Sequence, residues 1–182
     1  LSLCALSSPA DAYERLTRTD CPGGIAWAAD PQFHFNADGV PAAEEADFEV
    51  AVETVMERVN YVGGTWFDFD LPLGALATSD DMVQNGFNEI GMTELDHDAD
   101  GWTLGWGPSW VDTRTCKIVE ADMHLTNWTG VTWEFGLPAD QGVNYWEAND
   151  SVGMTYFARP IILHELGHTF GLAHSDTSYS YM

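Results

Sequence analysis

The chain has 182 residues, of which 45% are hydrophobic and 13% aromatic, enough apolar material for one domain with a buried core. Six basic against 29 acidic residues give a formal net charge of −23, which excludes a nucleic-acid-binding protein that relies on a basic face and argues against docking on anionic lipid. No apolar run reaches the ~18 residues of a transmembrane helix. The acidity suits a secreted protein from salty water or one that binds cations, and an ordinary acidic soluble surface is the alternative.

Two features of the sequence favour a secreted protein. The first twelve residues are mostly small or apolar and end in A-D-A, an A-x-A pattern, so residues 1–20 are predicted to be an N-terminal arm or a signal or propeptide remnant ahead of one domain over 21–182. Of the three cysteines, Cys21 and Cys116 are the natural pair for a secreted domain, and Cys4 is left over. Unpaired thiols are the alternative, because the sequence gives no distances.

The first half of the chain alternates strand and helix patterns. Alternating apolar residues in 21–35 predict a strand or a strand pair, and 36–39 reads as a turn. Acidic residues then open a helix to about Asn60, since carboxylates in a first turn are favoured by the helix dipole and apolar residues recur at helical spacing. The pair Gly63–Gly64 ends this helix, and 65–70 alternates as a half-buried strand does.

The second half of the chain is predicted to contain more loop. A strand is expected over 88–95, followed by a loop rich in Asp, Gly and Trp over 96–115 and by a further strand over 117–125. The pattern in 126–153 is weak, with many Gly, Trp and Asn residues. We expect a loop there, with one short strand near Trp133.

The last predicted element is a helix near the C-terminal end of the sequence. Pro160 stands where a first helical position would be, 161–170 is apolar enough to be buried, and Gly171 ends the helix. The order is strand, long first helix, several strands and second helix. The predicted fold class is therefore α+β, in a single domain.

This second helix carries the residues with the strongest chemical signal. His164 and His168 are four residues apart, so they stand on one helix face and can bind one Zn²⁺ ion. Glu165 lies beside the first ligand and suits contact with a metal-bound water rather than with the metal. Gly171 can adopt a positive φ, which turns the chain sharply and returns His174 as a third ligand. Three neutral nitrogen ligands leave a fourth position open, as in catalytic zinc sites.

The same stretch resembles a known group of enzymes. Residues His164–His174 match the H-E-x-x-H-x-x-G-x-x-H motif of the metzincin metallopeptidases, and Met182 matches their Met-turn. Ser175 after the third histidine and the E-A-D-M-H-L run over 120–125 are similar to the matrixins, the matrix-metalloproteinase family. The helix ending near Asn60 and the strand after it resemble the matrixin first helix and its next strand. No linker or hemopexin-like repeat follows, which favours a microbial matrixin-like protein.

The resemblance implies a fold and an activity. The fold would be a metzincin-like catalytic domain, a twisted mixed sheet with a long first helix and an active-site helix that carries the motif. The activity would be that of a secreted, extracellular zinc endopeptidase, in which Glu165 serves as general base and acid. The zinc ligands would be His164, His168 and His174. Gly171 and Met182 would be structural, with the methionine beneath the zinc site.

The resemblance also implies partners. They are protein or peptide substrates in extended conformation, which would pair with an exposed edge strand near 122–125, and a propeptide or inhibitor is a further candidate. Neither the motif nor the composition defines an oligomeric state. A catalytically silent, calcium-dependent binding or surface module on the same fold is the alternative function. The intact Glu165 and three histidines argue against that alternative.

A second metal site is predicted in the acidic loop. Asp96, Asp98 and Asp100 form the D-x-D-x-D-G opening of a calcium loop. The twelfth position, where an EF-hand has Glu, is Gly107, so the site would be a Ca²⁺ site of another kind, completed by backbone carbonyls or distant carboxylates. A solvated acidic turn is one alternative. A structural zinc site that includes His97 is another, implied by the resemblance.

Two departures from the matrixin pattern affect the expectations. The segment after the Met-turn forms the wall of the S1′ pocket in that family, so we expect the domain to be truncated after Met182, and side-chain preference is not predicted. The cysteine-switch motif P-R-C-G-x-P-D is absent. The run T-D-C-P-G around Cys21 resembles it faintly, and a Cys21 thiolate on the zinc is an alternative to a disulfide.

Overall fold

Two helices and a set of short strands make the described part of the fold α+β, as the order of the sequence patterns predicts. The structure is a computed structural model that describes residues 14–61, 73–75, 83–95, 97–98, 101–136 and 154–174. The helices are α1 (Glu45–Tyr61) and α2 (Ala158–Thr169). The strands are β1 (Glu14–Arg15), β2 (Ala26–Trp27), β3 (Phe33–Phe35), β4 (Gly74–Ala75), β5 (Asn88–Thr93), β6 (His97–Asp98), β7 (Gly101–Trp102), β8 (Gly105–Trp106), β9 (Ser109–Asp112), β10 (Lys117–Ala121), β11 (Met123–Thr126), β12 (Val131–Glu134), β13 (Met154–Phe157) and β14 (Leu172–Ala173). No helix in these ranges is long and apolar enough to cross a membrane.

The largest sheet is mixed and has five strands in the order β4-β3-β5-β11-β8. The first four strands pair in parallel, and β8 runs antiparallel to β11. β11 is therefore an inner strand, and all four of its residues are buried. The prediction of an exposed edge near 122–125 is wrong, because a strand paired on both sides has no unpaired backbone row to offer a peptide. Among the described strands of this sheet, β8 is the outer one at that end.

The strand predicted over 117–125 is in fact two strands in different sheets. β10 belongs to a sheet of order β2-β10-β9, and β11 belongs to the five-stranded sheet. The break falls at Asp122, whose carboxylate accepts a hydrogen bond from the backbone N of Glu89 at 2.9 Å. The backbone N of Asp122 donates to the carbonyl of Pro108 at 3.1 Å. Both partners are remote in sequence, so the local pattern does not show the break.

The loop predicted over 96–115 is wrong in large part, since β6, β7, β8 and β9 lie within it. Three tryptophans, Trp102, Trp106 and Trp110, stand in these strands. Aromatic residues favour extended, paired backbone, and the glycines and proline between them keep each strand short. β8 is the outer strand beside α2, so this segment lies next to the helix that carries the histidine motif.

The other described predictions for the core elements are confirmed. The long first helix is α1, and its buried face consists of Phe48, Ala51, Val52, Val55 and Met56. These side chains share one core with residues of β5, β11 and α2. The segment 21–35, predicted as a strand or a strand pair, contains β2 and β3, which belong to different sheets, and the short strand near Trp133 is β12. Gly63–Gly64 and the strand predicted over 65–70 lie outside the described residues.

The second helix begins earlier than predicted. α2 starts at Ala158, so Pro160 is its third residue rather than its first. Proline is tolerated there because the N–H groups of a first helical turn have no acceptor within the helix. Ile161, Ile162 and Leu166 anchor α2 in the main core. This packing fixes the helix that carries the histidine motif against the sheet.

A second, smaller core lies around a disulfide bond. Cys21 and Cys116 are bonded, with 5.6 Å between their Cα atoms, which confirms the predicted pair. Cys21 is therefore not available as a thiolate that caps a metal. Ile25, Ile118 and Ala121 pack with Cys21 in this core. The disulfide joins the segment before β2 to the turn between β9 and β10.

Candidate metal centre

Three histidine rings converge at the C-terminal end of α2. His164 and His168 stand one turn apart on the helix, and His174 follows β14. Their Nε2 atoms are 3.2 Å apart between His164 and His168, 3.1 Å between His164 and His174, and 3.0 Å between His168 and His174. Three nitrogens bound at ~2.0–2.1 Å to one tetrahedral ion stand ~3.3 Å apart. The cluster can therefore hold a metal ion.

The protonation state of His168 is also the one that metal binding requires. Its Nδ1 lies 2.9 Å from the carbonyl oxygen of Leu172, which can only accept, so Nδ1 donates and Nε2 presents a lone pair to the cluster. Burial lowers the pKa of His168, the hydrogen bond to Leu172 opposes this shift, and the neighbouring His164 and His174 rings add to it. The neutral form is the one that binds metals.

Hydrogen bonds alone do not satisfy all three contacts between these ring nitrogens. With Nε2 of His168 as an acceptor, a proton on His164 or His174 can satisfy some of the contacts, but three nitrogens that all face one another cannot all be paired at once. Polar atoms left without a partner in a partly buried cluster are costly. A cation among the three nitrogens would satisfy all of them, so the residues present fit a metal ion.

A tight turn brings the third histidine back to the helix. Phe170 caps α2, and its N–H donates to the carbonyls of Leu166 and Gly167. Gly171 follows with φ +84°, a conformation that glycine adopts at little cost. A Cβ at Gly171 would also stand 2.8 Å from the carbonyl oxygen of Ile25, too close for an ordinary contact. The position requires glycine on both counts.

Glu165 is the one acidic side chain buried within α2. It is 7% exposed, and burial raises the pKa of its carboxyl group from 4.5 to about 7. It lies beside His164 in the sequence but is not one of the three residues whose ligand atoms cluster. A buried carboxyl group whose pKa lies near neutrality can both accept and release a proton at physiological pH.

Strand β8 lies directly against Glu165. A Cβ on Gly105 would come within 2.6 Å of the Cγ and 2.9 Å of the Oε1 of Glu165. A Cβ on Gly107 would come within 2.5 Å of the Glu165 carbonyl oxygen and 3.1 Å of the Cβ of His168. Residues two apart on extended backbone face the same side. The G-W-G run is thus a signal of a helix packed closely on a strand, although the composition of 96–115 predicts a loop.

Two other histidines lie apart from this site, and several predicted site residues lie outside the described ranges. His34 contacts the ring of Phe87, with 5.7 Å between ring centroids, and His124 is buried in β11, so neither belongs to the cluster. Of the candidate calcium ligands, Asp96 and Asp100 lie outside the described residues. Asp98 is in β6, and its side chain is not described. Met182 also lies outside, so its place beneath the site stays a prediction.

Comparison with known proteins adds no relative. No protein-family model matches the sequence, and a comparison with curated proteins finds no match. What the fold and the site define is an α+β protein with a three-histidine cluster that can hold a metal ion. The functional argument therefore depends on the chemistry of these side chains.

Proposed function

We propose that this protein is a secreted zinc endopeptidase of the metzincin type, which hydrolyses peptide bonds with Glu165 as general base and acid. One observation carries the proposal. Three histidine Nε2 atoms converge within 3.2 Å of one another, and a buried glutamate occupies the same helical turn. The disulfide Cys21–Cys116 supports an extracellular setting, where such bonds persist.

Zinc is the metal that this donor set suits best for hydrolysis. Imidazole nitrogens favour zinc and its transition-metal neighbours, whereas calcium and magnesium prefer oxygen ligands. Three protein ligands are the number that catalytic zinc sites use, with the fourth position left for water or substrate. A bound zinc ion would supply Lewis-acid polarisation of the scissile carbonyl and would lower the pKa of water.

Glu165 supplies the proton transfers. Its carboxylate takes a proton from the attacking water as the water oxygen bonds to the carbonyl carbon. The carbon–nitrogen bond then breaks, and the same carboxyl group delivers the proton to the leaving nitrogen. Burial raises the pKa of Glu165 to about 7, and a cation in the adjacent cluster would lower it and favour the accepting carboxylate.

The substrate would be an extended peptide that pairs with β8 rather than with β11. β8 pairs with β11 on one side, and its other side is the outer edge among the described strands. The strand contacts Glu165 through Gly105, so a peptide added to this edge lies close to the proton-transfer group. Trp106, 48% exposed, offers an apolar surface to a substrate side chain.

Casein hydrolysis with and without a zinc-selective chelator tests the proposal. We expect hydrolysis by the zinc-loaded protein, loss of activity on treatment with 1,10-phenanthroline, and recovery when zinc is added back. Calcium should not replace zinc in the recovery step. Zinc-loaded protein that cleaves neither casein nor gelatin would contradict the proposal and favour the catalytically silent, calcium-dependent module.

Gly105→Ala should impair catalysis without releasing metal. The new Cβ would stand 2.6 Å from the Cγ of Glu165, so the carboxyl group or the strand must move. A displacement of ~1 Å at a reacting group can cost ~100-fold in rate, so we expect kcat to fall about 10- to 100-fold. Gly23→Ala is the matched control, because a Cβ there meets no atom within 4 Å. A wild-type kcat in Gly105→Ala would show that this contact does not position Glu165.

A further inference from the structure

The end of α2 is bonded to a distant part of the chain. The indole Nε1 of Trp27 donates to the carbonyl oxygen of Thr169 at 2.8 Å, across a sequence separation of 142 residues. Thr169 is the last residue of α2, where carbonyls have no partner within the helix. This hydrogen bond therefore joins the end of the helix, five residues before His174, to strand β2.

The turn that follows is bonded to the same distant segment. The backbone N of Leu16 donates to the carbonyl oxygen of Gly171 at 2.8 Å. Just beyond it β1 pairs antiparallel with β14, Arg15 opposite Leu172 and Glu14 opposite Ala173. β1 thus pairs with Leu172 and Ala173, the two residues that immediately precede His174.

Leu172 connects this pairing to a second ligand. Its carbonyl oxygen accepts the hydrogen bond from Nδ1 of His168, which directs the lone pair of His168 to the cluster. Hydrogen bonds of this kind behind a ligating histidine set its tautomer and ring orientation. Displacement of β14 would therefore disturb His168 and His174 together.

The N-terminal segment that supplies these donors is itself fixed. Cys21 is bonded to Cys116, and Trp27 pairs in parallel with Ile118 of β10. The carbonyl of Ile25 faces Gly171 so closely that only a glycine fits. Segment 14–27 is thus joined to β10 and packs closely against the turn that follows α2.

We propose that Trp27 is a positioning residue of the metal centre. Through its hydrogen bond to Thr169, the indole sets the end of α2 from which the chain turns to present His174. The inference rests on the proposed metal site, and it goes beyond that site by adding a residue that the ligand motif does not contain. Trp27 contacts neither metal nor substrate in this role.

The test compares two tryptophan variants by metal affinity. Trp27→Phe keeps an aromatic ring and removes the indole N–H, and we expect a loss of about tenfold in affinity for zinc, the lower end of the range for groups that hydrogen-bond a ligand directly. Trp133→Phe is the matched control. Its indole also donates to a backbone carbonyl, that of Thr126, at 2.8 Å, but in the main core and away from the segment that carries His174.

Affinity is measured by competition with a chromophoric chelator, alongside the visible spectrum of the Co²⁺-loaded protein and the Tm of each metal-free variant. Both variants should lower the Tm, and Trp27→Phe alone should weaken zinc binding and alter the Co²⁺ spectrum. Equal zinc affinities in the two variants and the wild type, or equal losses in both variants, would overturn the inference. If the wild-type protein itself binds no metal, both the proposed function and this inference are overturned.

A second variant, Trp27→His, distinguishes loss of the N–H donor from a general loss of folding in Trp27→Phe. Histidine has a five-membered ring with a nitrogen two bonds from Cγ, the position of the indole nitrogen, so it can restore a donor to Thr169. We expect its zinc affinity at pH 8 to lie nearer the wild type than that of Trp27→Phe. A folded Trp27→His with the wild-type Co²⁺ spectrum supports the role of the N–H. Zinc affinity no better than that of a folded Trp27→Phe contradicts it.

Discussion

Glu165→Gln should abolish most peptide hydrolysis while zinc stays bound. Glutamine has the shape of the carboxyl group but cannot take a proton from water at neutral pH. General acid–base catalysis contributes about 10²–10⁴-fold, so we expect kcat to fall by that factor. Zinc content should stay at the wild-type level, because Glu165 is not one of the clustered ligands. Measured kcat within tenfold of the wild type would refute the assignment of Glu165 as general base.

The same variant has a second readout in the metal-free protein. Burial raises the pKa of Glu165 from 4.5 to about 7, so the folded state keeps its proton where the unfolded state has lost it. The stability from this group is complete below pH ~4.5 and is lost as pH rises through ~7, on the order of 3 kcal/mol in all. Metal-free Glu165→Gln should therefore melt at a higher temperature than metal-free wild type at pH 8. The two should melt at similar temperatures at pH 4.

His174→Ala should remove the metal altogether under conditions where the wild type keeps it. Loss of an outer partner of a ligand costs ~10- to 100-fold in affinity, so loss of a ligand itself should cost more than about 100-fold. Activity at limiting zinc should vanish with the metal. Metal analysis after dialysis against a weak chelator, with competition titration, measures the change.

His34→Ala is the control for that experiment. The His34 ring packs against Phe87 in another part of the molecule and is not in the cluster. Zinc content and hydrolysis in this variant should match the wild type. Stoichiometric zinc retained by His174→Ala, at wild-type affinity, would mean that the metal binds elsewhere.

The motif could be read from the sequence because its geometry is local. His164 and His168 are one helical turn apart whatever surrounds them, and Gly171 permits a turn that few other residues allow. The helix α1 was predictable for the same reason, since its apolar residues recur at helical spacing. These features depend only on residues that are close together in the sequence.

The features that were missed depend on partners far along the chain. The break at Asp122 arises from a hydrogen bond with Glu89, and the two-residue strand β8 exists because β11 lies beside it. The donor role of Trp27 requires the end of α2 to be in place. The hydrophobic periodicity of a sequence describes one segment at a time, so it does not predict contacts between distant segments.

The pairing of β1 with β14 has a consequence for the order in which the protein is made. Synthesis begins at the N-terminus, so the segment with Leu16 and Trp27 leaves the ribosome long before its acceptors at Thr169 and Gly171. Closing a loop of this length costs entropy that is repaid only after both of its ends have been synthesised. Strand β14 is therefore seated, and His174 positioned, after the rest of the described fold has been synthesised. The three-histidine cluster is therefore completed only after the segments that support it have been synthesised.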